Sequence, residues 1–227
     1  MEYWFTADSH YSHGNIIKYC SRPFLTEYDK NGLENEGTRV NGKYVAVNSF
    51  KHHNISDDSI ELMNEKLIDQ TNKNVKNNDI LYYIGDFSMY FQGEKDYKYY
   101  ERCEKIIKRI NCRNLHLVYG NHDYHIVQNL FSKTYHGISE LKIRGLATIV
   151  LCHYALATWN QSHKGSIHLY GHTHSESESW LDRIMPNRRS MDVGVDNISK
   201  LFGEYRPVSL TEILDIMKVR TGHKHSV

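Results

Sequence analysis

Asn114-Leu115-His116-Leu117-Val118-Tyr119-Gly120-Asn121-His122-Asp123 reads as a short apolar strand that passes through a glycine into an amide, an imidazole and a carboxylate. The length and the flanking glycine mark Asn114–Tyr119 as a strand rather than a helix turn. Four other stretches have the same grammar. Upstream, Met1–Ala7 ends at Asp8-Ser9-His10 and Asp79–Ile84 ends at Gly85-Asp86. Downstream, Ala147–Cys152 ends at His153 and Ser166–Tyr170 ends at Gly171-His172-Thr173-His174. Open α/β sheets carry their chemistry at the carboxyl ends of strands, so the repeated pattern spells out one site.

Between the strands the spacing turns helical. Ile60, Met63 and Leu67 predict a helix over Ser59–Val75, with Asp57 or Asp58 as its cap. Tyr99, Cys103, Ile106, Ile107 and Ile110 form one face of a helix over Tyr97–Ile110. Ser209-x-x-Glu212 is a capping box for a last helix, with Leu210, Ile213, Leu214 and Met217 as its apolar stripe. Glu140–Arg144 and Ala147–Cys152 read as two strands joined tightly at Gly145, and Ser190–Val195 as another. This half predicts a second, antiparallel sheet facing the first. The expected class is α/β, with two facing sheets and helices outside.

Residues 1–220 are expected to form a single domain, with a flexible tail over 221–227. Thr26–Asp58 is a polar insertion that interrupts the rhythm and serves either as a cap beside the site or as a surface excursion. Within it, Val40-Asn41-Gly42-Lys43 is a hairpin signal. His52-His53 lies in the same segment and reads as solvated.

Composition narrows the function classes. The chain has 227 residues, is 40% hydrophobic and carries a net charge of +1. That is enough apolar content for a sizeable core. The balanced charge argues against stable nucleic-acid binding, which favours a basic surplus, though a nucleotide-sized substrate remains compatible. No apolar run reaches membrane-spanning length, and the start of the chain lacks the pattern of a signal peptide. Cys20, Cys103, Cys112 and Cys152 show no CxxC spacing. Reduced thiols and a cytoplasmic location are the expectation.

Carboxylates mixed with imidazoles suit Mn, Fe, Zn, Co or Ni better than Ca or Mg. In extended backbone, residues i and i+2 share a side, so Asp8 with His10, and His172 with His174, can grip one ion. Gly85 lets the chain turn sharply before Asp86. A carboxylate has two oxygens and can bridge two ions. Asn121 offers a neutral amide oxygen, and His153 completes the set. Taken singly, each motif more often serves structure: a DxH or HxH pair, a histidine after a strand, an Asn in a turn. Five of them in order, each at a strand end, are not a chance arrangement.

The order Asp-x-His, Gly-Asp, Gly-Asn-His-Asp, His, Gly-His-x-His, from Met1 to Asp196, resembles the calcineurin-like metallophosphoesterase superfamily. The resemblance implies a four-layer α/β/β/α sandwich with two facing mixed sheets and a dinuclear centre. Asp8, His10, Asp86 and His174 would hold one divalent ion, and Asp86, Asn121, His153 and His172 the other. Mn is the favoured metal. His122 would be the catalytic histidine outside the ligand set, Asp123 would orient its ring, and His10 would help at the leaving oxygen. Many members read Gly-Asp-x-x-Asp at the second motif, where this chain has Met89 in place of the last carboxylate.

By that resemblance the site would hydrolyse a small phosphate ester by attack of a metal-bridging hydroxide, and His122 would protonate the leaving alkoxide. The leading expectation is a phosphodiester, nucleotides among them. Phosphomonoesters of nucleotides or phosphoproteins come next. A nuclease is disfavoured by the charge, and a silent binding scaffold by the intact motif set. Candidate substrate contacts are His13, Asn15 and Arg22 after the first motif, and Tyr154 and Trp159 after His153. Cys152 reads as an inert, strand-buried thiol. Composition and motifs leave the oligomeric state open.

Overall fold

Ile80-Leu81-Tyr82-Tyr83-Ile84 carries an apolar or aromatic side chain at every position. In the computed structural model of the chain, which describes residues 1–40, 43–46 and 53–222, both faces of this strand are covered. Leu81 and Tyr83 enter one core with Met63, Leu67, Tyr99 and Cys103. Tyr82 and Ile84 enter a second core with Ile149, Leu151, Ile167 and Leu169. A strand buried on both faces has no reason to alternate polar with apolar residues.

In chain order the elements are β1 (Tyr3–Thr6), α1 (Gly14–Tyr19), α2 (Glu27–Glu36), β2 (Gly37–Val40), β3 (Lys43–Ala46), α3 (Asp57–Asn74), β4 (Ile80–Ile84), α4 (Asp96–Ile107) and β5 (Asn114–Val118). There follow β6 (Lys133–Tyr135), β7 (Ser139–Leu141), β8 (Ile149–Leu151), β9 (Ile167–Tyr170), α5 (Glu178–Ile184), β10 (Ser190–Asp192), α6 (Val195–Phe202), β11 (Val208–Ser209) and α7 (Leu210–Met217). One sheet has the order β11-β1-β4-β5-β6 and is parallel except at β11. The other has the order β10-β9-β8-β7 and is parallel except at β7.

The architecture is an α/β sandwich with two mixed sheets. Helices α3 and α4 cover the outer face of the first sheet, and the core between the sheets takes Ile198 from α6 and Leu210, Ile213 and Met217 from α7. On the far face of the second sheet, Tyr170 meets Glu178 at the start of α5, and Trp159 packs on His168.

Several sequence expectations need correction. The second sheet is antiparallel only where Ser139–Leu141 pairs with Ile149–Leu151. Strands β8, β9 and β10 run parallel, because the long stretches that join them cross back over the sheet. The cap of α3 is Ser56, whose hydroxyl accepts from Ser59 N at 3.4 Å. Asp57 and Asp58 occupy the first turn instead, where their charge favours the helix N-terminus. Helix α4 stops at Ile107, three residues short of the apolar pattern.

The Ser209 capping box is present, with Ser209 Oγ accepting from Glu212 N at 3.2 Å and Glu212 accepting from Ser209 N at 2.9 Å. The hairpin signal also holds, since Val40 pairs with Lys43, although Asn41 and Gly42 lie outside the described residues. So does His52. His53 is not solvated but lies 2.6 Å from Asp29 Oδ1, and Asp29 also accepts from Ser56 N and Oγ. These bonds tie both ends of the polar segment together behind α1, where Lys18 Nζ donates to the His53 carbonyl at 2.8 Å. At the other terminus Gly222 N donates to the Asn187 carbonyl, and 223–227 lie outside the described residues. No described helix is long and apolar enough to cross a membrane.

Candidate metal centre

The two sheets deliver their strand ends to one place. The segments after β1 and β4 run on side by side, with Asp8 N donating to Gly85 O at 3.0 Å and His10 N to Asp86 O at 3.0 Å. From the second sheet, Gly171 N donates to His153 O at 3.0 Å. The sheets then touch where His172 N donates to both oxygens of Asp8, at 3.0 and 2.9 Å.

Two donor groups lie at the strand ends. Asp8, His10 and His174 form one, and Asp86, His153 and His172 the other, with ligand atoms within 4.8 Å of one another in each group. A further such group, Cys20, His174 and Asp196, shares His174 with the first. Asp86 stands between the groups, its Oδ2 3.5 Å from His10 Nε2 and 3.3 Å from His153 Nε2. Asn121 Oδ1 lies 3.1 Å from His153 Nε2. Asp8, His10, Asp86 and His153 are buried, whereas Asn121 and His172 are exposed, so the centre opens to solvent on one side.

The backbone around these residues is strained. Asp8, His10, Asp86, His172 and His174 all have φ between 47° and 72°, a left-handed region that residues with a Cβ rarely adopt. Strain of this kind concentrates at functional sites and persists only where neighbours enforce it. Gly120 shows how tight the packing is. A Cβ there would lie 2.2 Å from Asp86 Oδ1 and 2.5 Å from Asp86 N.

Hydrogen bonds set the ring tautomers. His153 Nδ1 lies 2.9 Å from the Ile84 carbonyl, so Nδ1 carries a proton and Nε2 faces Asp86 and Asn121. His174 Nδ1 lies 2.7 Å from Asp196 Oδ2 in the same fashion. His10 has no hydrogen-bond partner on either ring nitrogen, although both are buried. Buried polar atoms are nearly always satisfied, so an unpartnered ring among carboxylates is suited to a metal ion.

Carboxylates and imidazoles shift one another here. Burial raises Asp8 to about 6, against the pull of His174 and His153. Burial alone would also raise Asp86, but His153 and His10 hold it well below the usual carboxylate range. Burial opposes charge on His153, and Asp86 and Asp8 outweigh it, bringing the ring to about 9.

Not every sequence candidate sits where expected. A pocket of 580 Å³ opens over both donor groups, with His10, His174, Asp86 and His172 in its lining beside His13, Asn15, His122 and Met89. His13 Nδ1 is buried there without a partner. Tyr154 flanks the group of Asp86, His153 and His172, its ring 4.7 Å from His172 and its hydroxyl 3.4 Å from Asn121 Oδ1. Arg22 is not a substrate contact. It is 1% exposed, and its guanidinium is spent on Asp196 and on the carbonyls of Asp8 and Ser9. Trp159 is buried on the outer face of the second sheet, donating to Ser166 O at 3.2 Å. Asp123 does not orient the His122 ring. Its oxygens accept from Asp86 N, Phe87 N and Gly120 N at 2.8, 2.9 and 2.9 Å, which binds two ligand loops together.

Two carboxylates escaped the sequence reading. Asp192 accepts from Gly194 N and Ser175 N, at 2.6 and 3.0 Å, and so shapes the loop that carries His172 and His174. Asp196 holds His174. The rule of a strand followed by a ligand-type residue, applied to Ser190–Val195, would have found Asp196, whereas Asp192 lies within that segment. Tyr19 and Cys20 also line the pocket, at the end of a short helix that the sequence pattern did not show.

No family model matches the chain. The uncharacterized protein MJ1445 of Methanocaldococcus jannaschii is 24% identical over 212 residues, which covers 93% of this chain and 89% of that protein. Among solved structures, the protein of unknown function AQ665 from Aquifex aeolicus superposes with a TM-score of 0.57 at 19% identity, covering 95% of this chain and 98% of that one. That likeness extends to the fold. YfcE, a phosphoesterase from E. coli, superposes with a TM-score of only 0.33 at 16% identity, over 77% of this chain and 70% of its own.

Proposed function

We propose that the chain is a dinuclear metal-dependent phosphoesterase acting on a small phosphate ester, with diesters preferred. The observation that carries this reading is the meeting of two three-residue donor groups around Asp86, at the ends of strands from both sheets. The residues fit two divalent ions. Asp8, His10 and His174 would hold one, His153, His172 and Asn121 the other, and Asp86 both. The mix of carboxylate, amide and imidazole favours Mn, with Fe, Zn, Co and Ni also suited. When bound, such ions polarise a phosphate and lower the pKa of water toward 7.

The protein's own groups supply the rest. Hydrogen bonds to Ile84 O and Asp196 preset His153 and His174, so little rearrangement is needed on binding. His122 is half-buried in the pocket wall, its ring 5.5 Å from that of His10, and its backbone N–H donates to Asp86 Oδ1 at 3.0 Å. That places an imidazole beside the donor groups but outside both, where it can give a proton to a leaving oxygen. His13 and Asn15 offer polar contacts on the same wall, and Tyr19 and Tyr154 offer aromatic surface for a base. The open side and the small pocket favour a nucleotide-sized ester over a nucleic-acid strand.

Hydrolysis of bis-p-nitrophenyl phosphate and p-nitrophenyl phosphate side by side tests the reading. The protein is stripped with chelator and restored with Mn, and Asp86→Ala serves as control. Metal-restored turnover of the diester above the monoester is expected. The reverse preference would make it a phosphomonoesterase, and no turnover of either ester with two ions bound would remove this function.

A further inference from the structure

Arg22, a candidate substrate contact by sequence, is among the most buried of the described side chains. Its Nε and Nη2 donate to the two oxygens of Asp196, both at 2.9 Å. Nη2 also donates to Asp8 O at 2.7 Å, and Nη1 to Ser9 O at 2.9 Å. Asp196 in turn accepts from His174 Nδ1 at 2.7 Å. One guanidinium therefore joins the strained Asp8-Ser9-His10 turn to the carboxylate that sets His174. Those three ligands are all in one donor group.

The other group is built differently. His153 is set by the backbone carbonyl of Ile84, and among the described residues no member of this group bonds directly to Arg22 or Asp196; it is tied to the first group by the His172 N–H on the Asp8 carboxylate. We infer that Arg22 and Asp196 are positioning residues for one ion alone, the one held by Asp8, His10 and His174, and that the two ions of the centre can be unseated separately. The inference rests on the dinuclear reading above.

The geometry explains why the pair is ionic despite its burial. Removing one member of a buried ion pair leaves the other uncompensated. Here the bidentate fork of Arg22 has donors left over for two carbonyls, which a lysine could not satisfy together. Asp196 has one oxygen left for an imidazole. Ligands whose outer hydrogen bonds are cut lose roughly 10- to 100-fold in metal affinity.

Cadmium titration followed by 113Cd NMR tests this without reference to turnover. Metal-free wild-type protein should show two resonances as it fills with two equivalents of Cd²⁺. In Asp196→Asn, whose folding is checked by circular dichroism, one resonance should be lost or need roughly 10- to 100-fold more Cd²⁺, while the other keeps its shift and affinity. Arg22→Lys should weaken the same resonance. If either single variant fails to fold, Arg22→Met/Asp196→Leu removes both buried charges together and should show the same one-sided loss. Two unchanged resonances in a folded variant would overturn the inference and leave the dinuclear reading standing. Loss of both together would also overturn it, since the sites would then not be separable. Fewer than two ions on the wild-type protein would overturn the dinuclear reading itself, and the inference with it.

Discussion

His122 and Asp123 are neighbours in sequence with opposite duties. His122 presents its ring to the pocket, whereas Asp123 turns its carboxylate onto three backbone N–H groups from the loops after β4 and β5. His122→Ala should keep both ions and lose roughly 100-fold or more of its turnover, as deletion of a general acid does. Metal analysis beside an ester assay would show this, and unchanged turnover with metal bound would take His122 out of the reaction. Asp123→Ala should act on the fold instead. Leaving buried amides unpartnered costs about 1–3 kcal/mol each, so urea denaturation should show a loss of at least about 3 kcal/mol. A variant as stable as wild type would contradict the clamp.

At the scale of elements, the site depends on loops that pass close to one another. Gly120 lies just past β5, and an added Cβ there would meet Asp86 backbone as well as side chain. Backbone cannot step aside as a flexible side chain can. Gly120→Ala should therefore destabilise the protein by roughly 1–3 kcal/mol and weaken metal binding as Asp86 shifts. Thermal melting with and without added Mn would measure both. Helix α7 offers a contrast remote from the centre. Ser209→Ala removes the N-cap and should cost about 1 kcal/mol without changing metal affinity.

The whole molecule responds to pH through His168, fully buried in β9 away from the metal ligands. Its Nδ1 lies 3.1 Å from Val150 O, and its Nε2 lies 3.1 Å from Leu156 N and 3.2 Å from Tyr154 O. Burial brings it down from 6.5 to about 4. The unfolded chain takes up this proton first as pH falls, so His168 makes the fold less stable between about pH 6.5 and about pH 4 and has no effect above that window. The full loss below the window is roughly 3 kcal/mol. Subtracting the stability curve of His168→Asn from that of wild type should isolate this slope. Curves that run parallel through the window would show that the ring is not held neutral.

The strands that lead into the candidate ligands, the two-sheet architecture and the candidate ligands Asp8, His10, Asp86, His153, His172 and His174 were legible in the sequence alone, whereas the edge strands β6 and β11 were not. Local chemistry explains this. A strand buried on both faces is mostly apolar, and a ligand lies within a few residues of the strand that aims it, so both signals are local in the sequence. Short helices such as α1, and the paths of β8, β9 and β10, were not legible, because tertiary packing rather than spacing decides them. The roles of Arg22, Asp123, Trp159 and Asp196 were decided only in three dimensions. Arg22 and Asp196 lie 174 positions apart in the chain and share two hydrogen bonds. A buried charge takes its meaning from its partner, and no local pattern records a partner that only folding brings near.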